Sequence, residues 1–266
     1  MRAPLDGLRA ITFDFGNTLV PVDRAGLRGV IEITARAVIE RCGPFDYDDF
    51  MRIWAEERER QFREEVPQFR EVDLAQRVAR VLARLRGMRP PAPEGRWDDA
   101  AATRLAAPDE IALAVDVYSR SFVEAIPAPS FVGPMLGRLA RRHRLAVLSN
   151  WPLAATIDRY VEAAGWAPYL RALVISQRVG AIKPHGAIFR AAEAALDLGP
   201  DDRPAILHVG DDWVADVVGA KRAGWLAAFL HSRPEDSPLP SSERDEAVAP
   251  DLELSDLRQL EGAVGP

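Results

Sequence analysis

"ITFDFGNTLV", residues 11–20, decides how the rest of the chain is read. The apolar, β-type run Ile11-Thr12-Phe13 ends in Asp14, a Gly16-Asn17-Thr18 turn follows, and Leu19-Val20 closes the stretch. A strand that ends in an acidic residue at a turn presents a carboxylate at a sheet edge, where it caps the turn or does chemistry. Two residues beyond Asp14 stands Gly16, so the turn supplies no second carboxylate at that position.

Short apolar runs of the same kind recur along the chain. Residues 9–14, 145–149, 173–176, 205–210 and 226–231 read as buried parallel strands, with amphipathic helical patterns at about 152–164, 185–197 and 213–223 between them. "PDLELSDLRQLEG" (250–262) supplies a last strand and helix. The alternation predicts an α/β fold, a doubly wound (Rossmann-like) parallel sheet.

Residues 21–125 differ, with helical patterns at about 24–41, 47–65, 72–87 and 109–125 and no convincing strand. In "DLAQRVARVLARLRG" (73–87), Leu74, Val78, Val81, Leu82 and Leu85 recur at helical spacing and Gly87 ends the pattern. The expected organisation is an α/β core of residues 1–20 plus 126–266 with an all-helical insertion at 21–125. "MRPPAPEGR" (88–96) reads as a break in that insertion, and "SRPEDSPLPSSERDEAVA" (232–249) as a long polar connection expected to be poorly ordered.

Composition narrows the classes of function. With 266 residues, 48% hydrophobic, the chain can bury a sizeable core. Its single cysteine, Cys42, excludes an internal disulfide framework and a four-thiolate metal site. No apolar run approaches the roughly 20 residues of a membrane span, and the first residues lack the layout of a signal peptide, so a cytoplasmic location is expected. The net charge of −6, with both signs interspersed, leaves no basic stripe for a nucleic-acid backbone. The expected partners are small molecules, on a monomer or homodimer. Only two lysines occur, Lys183 and Lys221, against a background of arginine. A compact ammonium is therefore a rare feature here, which draws attention to Lys183.

In a parallel α/β sheet, ligands bind beyond the carboxyl ends of the strands. The polar residues at those ends are Asp14, Ser149-Asn150, Lys183 in the turn "VGAIKP", and Asp211-Asp212 in "HVGDDWVAD". Taken in order, "FDFGNT", "LSN", "KP" and "GDDWVAD" resemble the four motifs of the haloacid dehalogenase superfamily of hydrolases, and the helical stretch sits where that family inserts its first type of cap.

The resemblance implies roles. Asp14 is the nucleophile, forming an aspartyl-phosphate and so dividing one hard displacement into two steps. Ser149 hydrogen-bonds the phosphoryl oxygens and Lys183 neutralises charge on the nucleophile and phosphoryl group. Asp14, the Gly16 carbonyl and Asp211 hold Mg²⁺, with Asp216 orienting ligands or waters around it. Asn150, Trp151, Gly16, Asn17 and Thr18 contact substrate. For Asp212, capping of the following helix is an equal alternative. His208 reads as a hydrogen-bonded residue of a buried strand.

The implied activity is Mg²⁺-dependent hydrolysis of a small phosphorylated metabolite. Two alternatives stand beside it: a metal-independent 2-haloacid dehalogenase, and a degenerate member that binds a phosphate ligand or a protein. Asp211 speaks against the dehalogenase, whose pattern has small neutral residues there. Both lysines lie outside 21–125, which speaks against a Schiff-base phosphonate hydrolase. Gly16 stands where the better-known phosphatases carry their acid, a group worth about 10²–10⁴ in rate. The expected substitutes are Glu57 or Glu64 of the insertion, or a water beside Gly16, with Arg24, Arg28 and Trp54 as residues able to reach the site.

Overall fold

A computed structural model of the protein describes residue 5, residues 7–245 and residues 247–265. The outermost residues of the expected core segment, 1–4 and 266, lie outside the described residues. Strand β1 (Ala10–Phe13) is followed by helices α1 (Arg24–Cys42), α2 (Tyr47–Glu65), α3 (Leu74–Leu85), α4 (Asp99–Arg104), α5 (Pro108–Ala125) and α6 (Val132–Leu139). Strand β2 (Arg144–Ser149), α7 (Ala154–Ala163), β3 (Ala172–Ile175), α8 (Ser176–Val179), α9 (Gly186–Ala195) and β4 (Ile206–Gly210) follow. A wide π-type turn, Trp213–Val218, leads into α10 (Gly219–Arg222), then β5 (Leu226–Leu230), β6 (Leu252–Leu254) and α11 (Leu260–Ala263).

The strands form one sheet in the order β3-β2-β1-β4-β5-β6, and every pairing is parallel. This is the doubly wound order, in which the direction of strand addition reverses between β1 and β4 and leaves a crevice at their carboxyl ends. All four residues of β1 are buried, as befits a central strand covered on both faces. Alternation sorts its side chains: Ile11 and Phe13 enter the apolar cluster on one side with Val147 and Val209, and Ala10 enters the other with Ala146, Ile206 and Phe189. Phe13 is level with Val147 and Val209, so Asp14, Ser149 and Asp211 leave the sheet at the same edge.

The strands and long helices fall close to where the sequence puts them. Three helices among the described residues had no expected counterpart, α4, α6 and α8. Asp98 starts α4 by accepting the Ala101 amide at 2.9 Å. The periodicity of α3 is realised as a buried face of Leu74, Val78, Val81 and Leu82, started by Asp73 accepting the Gln76 amide at 2.9 Å. Within the insertion α1 packs on α5, and α2 and α5 both pack on α3. Phe122 of α5 meets Trp151 edge-on at 5.3 Å, and Trp151 meets Phe15 at the same distance, tying the insertion to the turn after β1.

The connection after β5 is a correction. Its polar composition suggested a loose loop, but it crosses the strand edge and is anchored there. Ser242 donates backbone N–H and hydroxyl to Asp212, each at 2.8 Å, and takes the Val214 amide at 2.7 Å. Asn17 Nδ2 reaches Ser237 Oγ at 3.0 Å. Serines, prolines and one arginine thus make a strap whose partners are the polar groups of the site. No helix among the described residues is long and apolar enough to cross a membrane.

Candidate active site

The turn after β1 is built on backbone hydrogen bonds. The amides of Leu19 and Val20 both donate to Phe15 O at 3.0 Å, and Asn17 N donates to Val20 O at 2.7 Å. This closure puts Asn17 at φ 60°, a left-handed conformation that asparagine tolerates better than most residues. Its side chain holds the shape, Oδ1 accepting Val22 N at 3.1 Å.

Four of the expected residues converge on one point. Lys183 Nζ, almost wholly buried, donates to Asp14 Oδ1 at 2.8 Å, Asp216 Oδ1 at 2.6 Å and Leu148 O at 2.9 Å. One ammonium therefore spends all three protons on two carboxylates and a strand-end carbonyl. Desolvation would depress its pKa, but Asp14 and Asp216 hold it above the ordinary lysine value. Asp216, which burial alone would raise, is held well below the usual carboxylate range by Lys183 and His208. Asp14 is raised, with burial outweighing the attraction of Lys183. Gly210 is required beside this pair, because a Cβ there would overlap the Asp216 carboxylate.

Asp14, Asp211 and Asp216 each bring a carboxylate oxygen within 4.8 Å of the others. Burial, then repulsion from Asp14 and Asp216, pushes Asp211 up to about 8. Three carboxylates at a sheet edge, partnered by Lys183 and by Arg233 at 3.1 Å from Asp211, form an oxygen-rich set of the kind hard divalent cations bind. The residues present fit such an ion. Ser149 Oγ is buried and makes no well-formed hydrogen bond among the described residues, although the hydroxyl is near enough to Asp14 to favour its carboxylate.

Several expected contacts turn out differently. The Asn150 amide is spent on the chain at Lys183, with Oδ1 accepting Lys183 N at 2.8 Å and Nδ2 donating to Lys183 O at 3.1 Å. It fixes the lysine turn and also lines the cavity. Thr18 points its hydroxyl at Asp211 Oδ1, 3.4 Å away, and does not line the cavity. Asn17 and Trp151 do line it, as does Gly16. Asp212 caps the turn that follows, accepting Ala215 N at 2.7 Å.

Glu57 and Glu64 are turned away, Glu57 to Trp97 and Arg84, Glu64 to Arg80. Arg24 and Arg28 also lie off the cavity, while Trp54 is in its wall. A Cβ on Gly16 would sit 2.5 Å from Leu239 Cδ1 and 3.2 Å from Trp151. A strap methyl group fills the space toward which a side chain at position 16 would point.

Sequence reasoning missed the part played by four residues. His208 is buried in β4 as expected, and it also bonds Asp216 Oδ1 at 3.0 Å through Nε2 and Thr12 Oγ1 at 2.8 Å through Nδ1. Burial and the charge of Lys183 depress its pKa, so it is neutral. Because Asp216 only accepts, the proton belongs on Nε2 and Thr12 donates to Nδ1. Glu71, between α2 and α3, lines the cavity, accepts Val72 N at 2.9 Å and takes the Ser176 hydroxyl. Burial lifts its pKa to about 7 against those hydrogen bonds. Arg233 and Leu239 come from the strap, where a polar, proline-rich composition gave no sign of a role.

These groups open into one cavity of about 410 Å³ between the strand edge and the inserted helices, large enough for a small organic substrate. An aspartate poised on a lysine at the switch point of a doubly wound sheet, under a helical insertion, defines a class of hydrolase. The chain belongs to the haloacid dehalogenase-like hydrolases, whose sequence pattern matches residues 8–224. It is similar to pyrimidine 5'-nucleotidase YjjG of Escherichia coli (strain K12), 31% identical over 51% of this chain and 55% of that protein. It is also similar to a phosphoserine phosphatase of Thermus thermophilus, 33% identical over 44% of this chain and 42% of that one. The chain thus spans about half the length of these curated relatives. In fold it resembles a 2-haloacid dehalogenase from Pseudomonas syringae pv. Tomato DC3000, with a TM-score of 0.62, 22% identity and coverage of 95% of this chain and 96% of that one.

Proposed function

We propose that the protein is a Mg²⁺-dependent phosphohydrolase acting on a small phosphorylated substrate through an aspartyl-phosphate. The observation that carries this reading is Asp211, a carboxylate forced close to Asp14 and Asp216 and pushed up to about 8, where a cation relieves the repulsion. Asp14, Asp211 and the Gly16 carbonyl would hold the ion, with Asp216 behind them, and a cation there would supply neutralisation of charge on the phosphoryl oxygens. Asp14 attacks phosphorus while Ser149 Oγ donates to an equatorial oxygen and Lys183, bonded to the attacking carboxylate, offsets the negative charge, and the ester oxygen departs. Water then cleaves the Asp14–phosphorus bond to release phosphate. The relatives named phosphatase and nucleotidase support the same chemistry.

The departing oxygen and the attacking water both need a proton carrier, and Gly16 cannot be one. Among the carboxyls that line the cavity, Glu71 stands apart from the aspartate cluster and titrates near neutrality, which suits that task. Hydrolysis of p-nitrophenyl phosphate and a panel of phosphomonoesters, with Mg²⁺, with EDTA and with Asp14→Asn, tests the proposal. It expects turnover that EDTA and the substitution each abolish.

A second reading draws on Leu239. An apolar group against Gly16 suits an organic halide in place of a phosphate ester, with Asp14 attacking carbon and halide leaving. Halide release from 2-haloacids in EDTA would select it.

A further inference from the structure

Where the inserted helices line it, the cavity carries positive charge with no ion-pair partner among the described residues. Helix α3 has three arginines in or near the core, and two are paired: Arg80 with Glu64 and Asp99, Arg84 with Glu56 and Glu57. The third, Arg77, is 5% exposed and lines the cavity. Its Nε–H donates to Gln61 Oε1 at 2.9 Å, its guanidinium lies 5.7 Å from the Trp54 ring, and it has no carboxylate within ion-pair reach among the described residues. Arg58 of α2 faces the same space. It donates to Pro238 O at 2.8 Å, lies 4.9 Å from the Phe62 ring, and likewise has no carboxylate partner among the described residues.

Burial, with Arg58 adding to it, presses Arg77 down to about 10. The nearest acids are committed elsewhere, Glu71 to Ser176 and Val72, Asp73 to Gln76 and Gln177. Two like charges facing one cavity are unfavourable without an anion between them. The wall around them is aromatic, from Trp54, Phe62, Phe69 and Tyr118, and the buried Trp54 Nε1–H has no acceptor among the described residues.

We infer that this end of the cavity receives a second acidic group carried by the substrate's leaving group, a carboxylate or a second phosphate on a flat, largely apolar scaffold, with Arg77 and Arg58 as its counter-charges. The inference rests on the phosphohydrolase reading, which puts the scissile phosphate at Asp14. Guanidinium is well matched to either anion, because its planar fork donates two parallel hydrogen bonds.

Matched esters test this. kcat/KM is measured with saturating Mg²⁺ for phenyl phosphate, 4-carboxyphenyl phosphate and 1,4-phenylene bisphosphate, on the wild type, Arg77→Gln and Arg58→Gln. The wild type should favour at least one doubly acidic ester over phenyl phosphate by roughly tenfold or more, the worth of one charge-assisted contact. The preferred ester identifies the acidic group. In each variant that ratio should fall toward one. A wild-type ratio near one, or a ratio retained in both variants, overturns the inference. Arg58 is only partly buried, so Arg58→Gln serves if Arg77→Gln does not fold. Absence of turnover of every ester, p-nitrophenyl phosphate included, is failure of the phosphohydrolase reading instead. Calorimetric binding of the same three esters then decides, and equal affinities overturn the inference.

Discussion

Lys183 Nζ lies 2.6 Å from Asp216 Oδ1 in a site that leaves Asp216 2% exposed, and the same ammonium reaches Asp14. The lysine therefore serves stability and chemistry together. Removing it leaves two buried carboxylates facing each other, and breaking a buried pair in this way costs about 3–5 kcal/mol. Lys183→Met should lose that much stability in denaturant unfolding and lose turnover. Adding Asp216→Asn should recover part of the stability without recovering turnover, a non-additivity that a double-mutant cycle reads directly.

Glu71 should make stability depend on pH. Its folded pKa, about 7, exceeds the ordinary glutamate value of 4.5, so the folded state holds the proton more tightly than the unfolded chain. The contribution is fully present below 4.5, declines as pH rises through 7, and changes no further above that. Glu71→Gln removes this decline. Relative to wild type, the variant should gain roughly 1–3 kcal/mol between pH 4 and pH 8, a range discounted for the partial exposure of Glu71. If Glu71 also moves the proton, the variant should lose the neutral limb of the pH–rate profile, most visibly on esters with poor leaving groups.

Gly16 and Leu239 compete for one volume. Gly16→Asp alone should destabilise by about 1–3 kcal/mol, the range for overpacking, because Leu239 must move. Paired with Leu239→Ala it should fold with near wild-type melting temperature. If a missing acid limits the rate, only the pair should speed hydrolysis of alkyl phosphates.

Arg233 competes with any cation for Asp211, standing 3.1 Å from Oδ2 while also holding the strap at Pro240 O. Arg233→Met should tighten Mg²⁺ binding by several-fold in calorimetry, since a positive charge next to the ligand is gone. An unchanged or weaker affinity would mean that the arginine's anchoring of the strap matters more than its charge.

The sheet was legible because each strand is a short apolar run ending in a polar residue, a pattern set by burial on both faces. Asp14, Ser149 and Asp211 were legible because strand ends share one edge in a parallel sheet, while Lys183 and Asp216 were named through the motif resemblance. What was not legible depends on side-chain direction across long sequence separations. Helical periodicity could not tell that Glu57 turns to Trp97 while Glu71, outside any helix, faces the cavity. Nor could it distinguish Arg77 from Arg80, both on the buried face of α3 but with different partners. The strap was hidden by composition, because serines that would suit a solvated loop here satisfy the polar groups of Asn17 and Asp212, and Arg233 reaches Asp211.

The most direct test of the phosphohydrolase account is whether Asp14 becomes phosphorylated. A single turnover of a ³²P-labelled phosphomonoester, quenched in acid and mapped by peptide mass spectrometry, should put label on Asp14 only when Mg²⁺ is present, and none on Asp14→Asn. Turnover without a labelled Asp14, or labelling and turnover undiminished by EDTA, would contradict it.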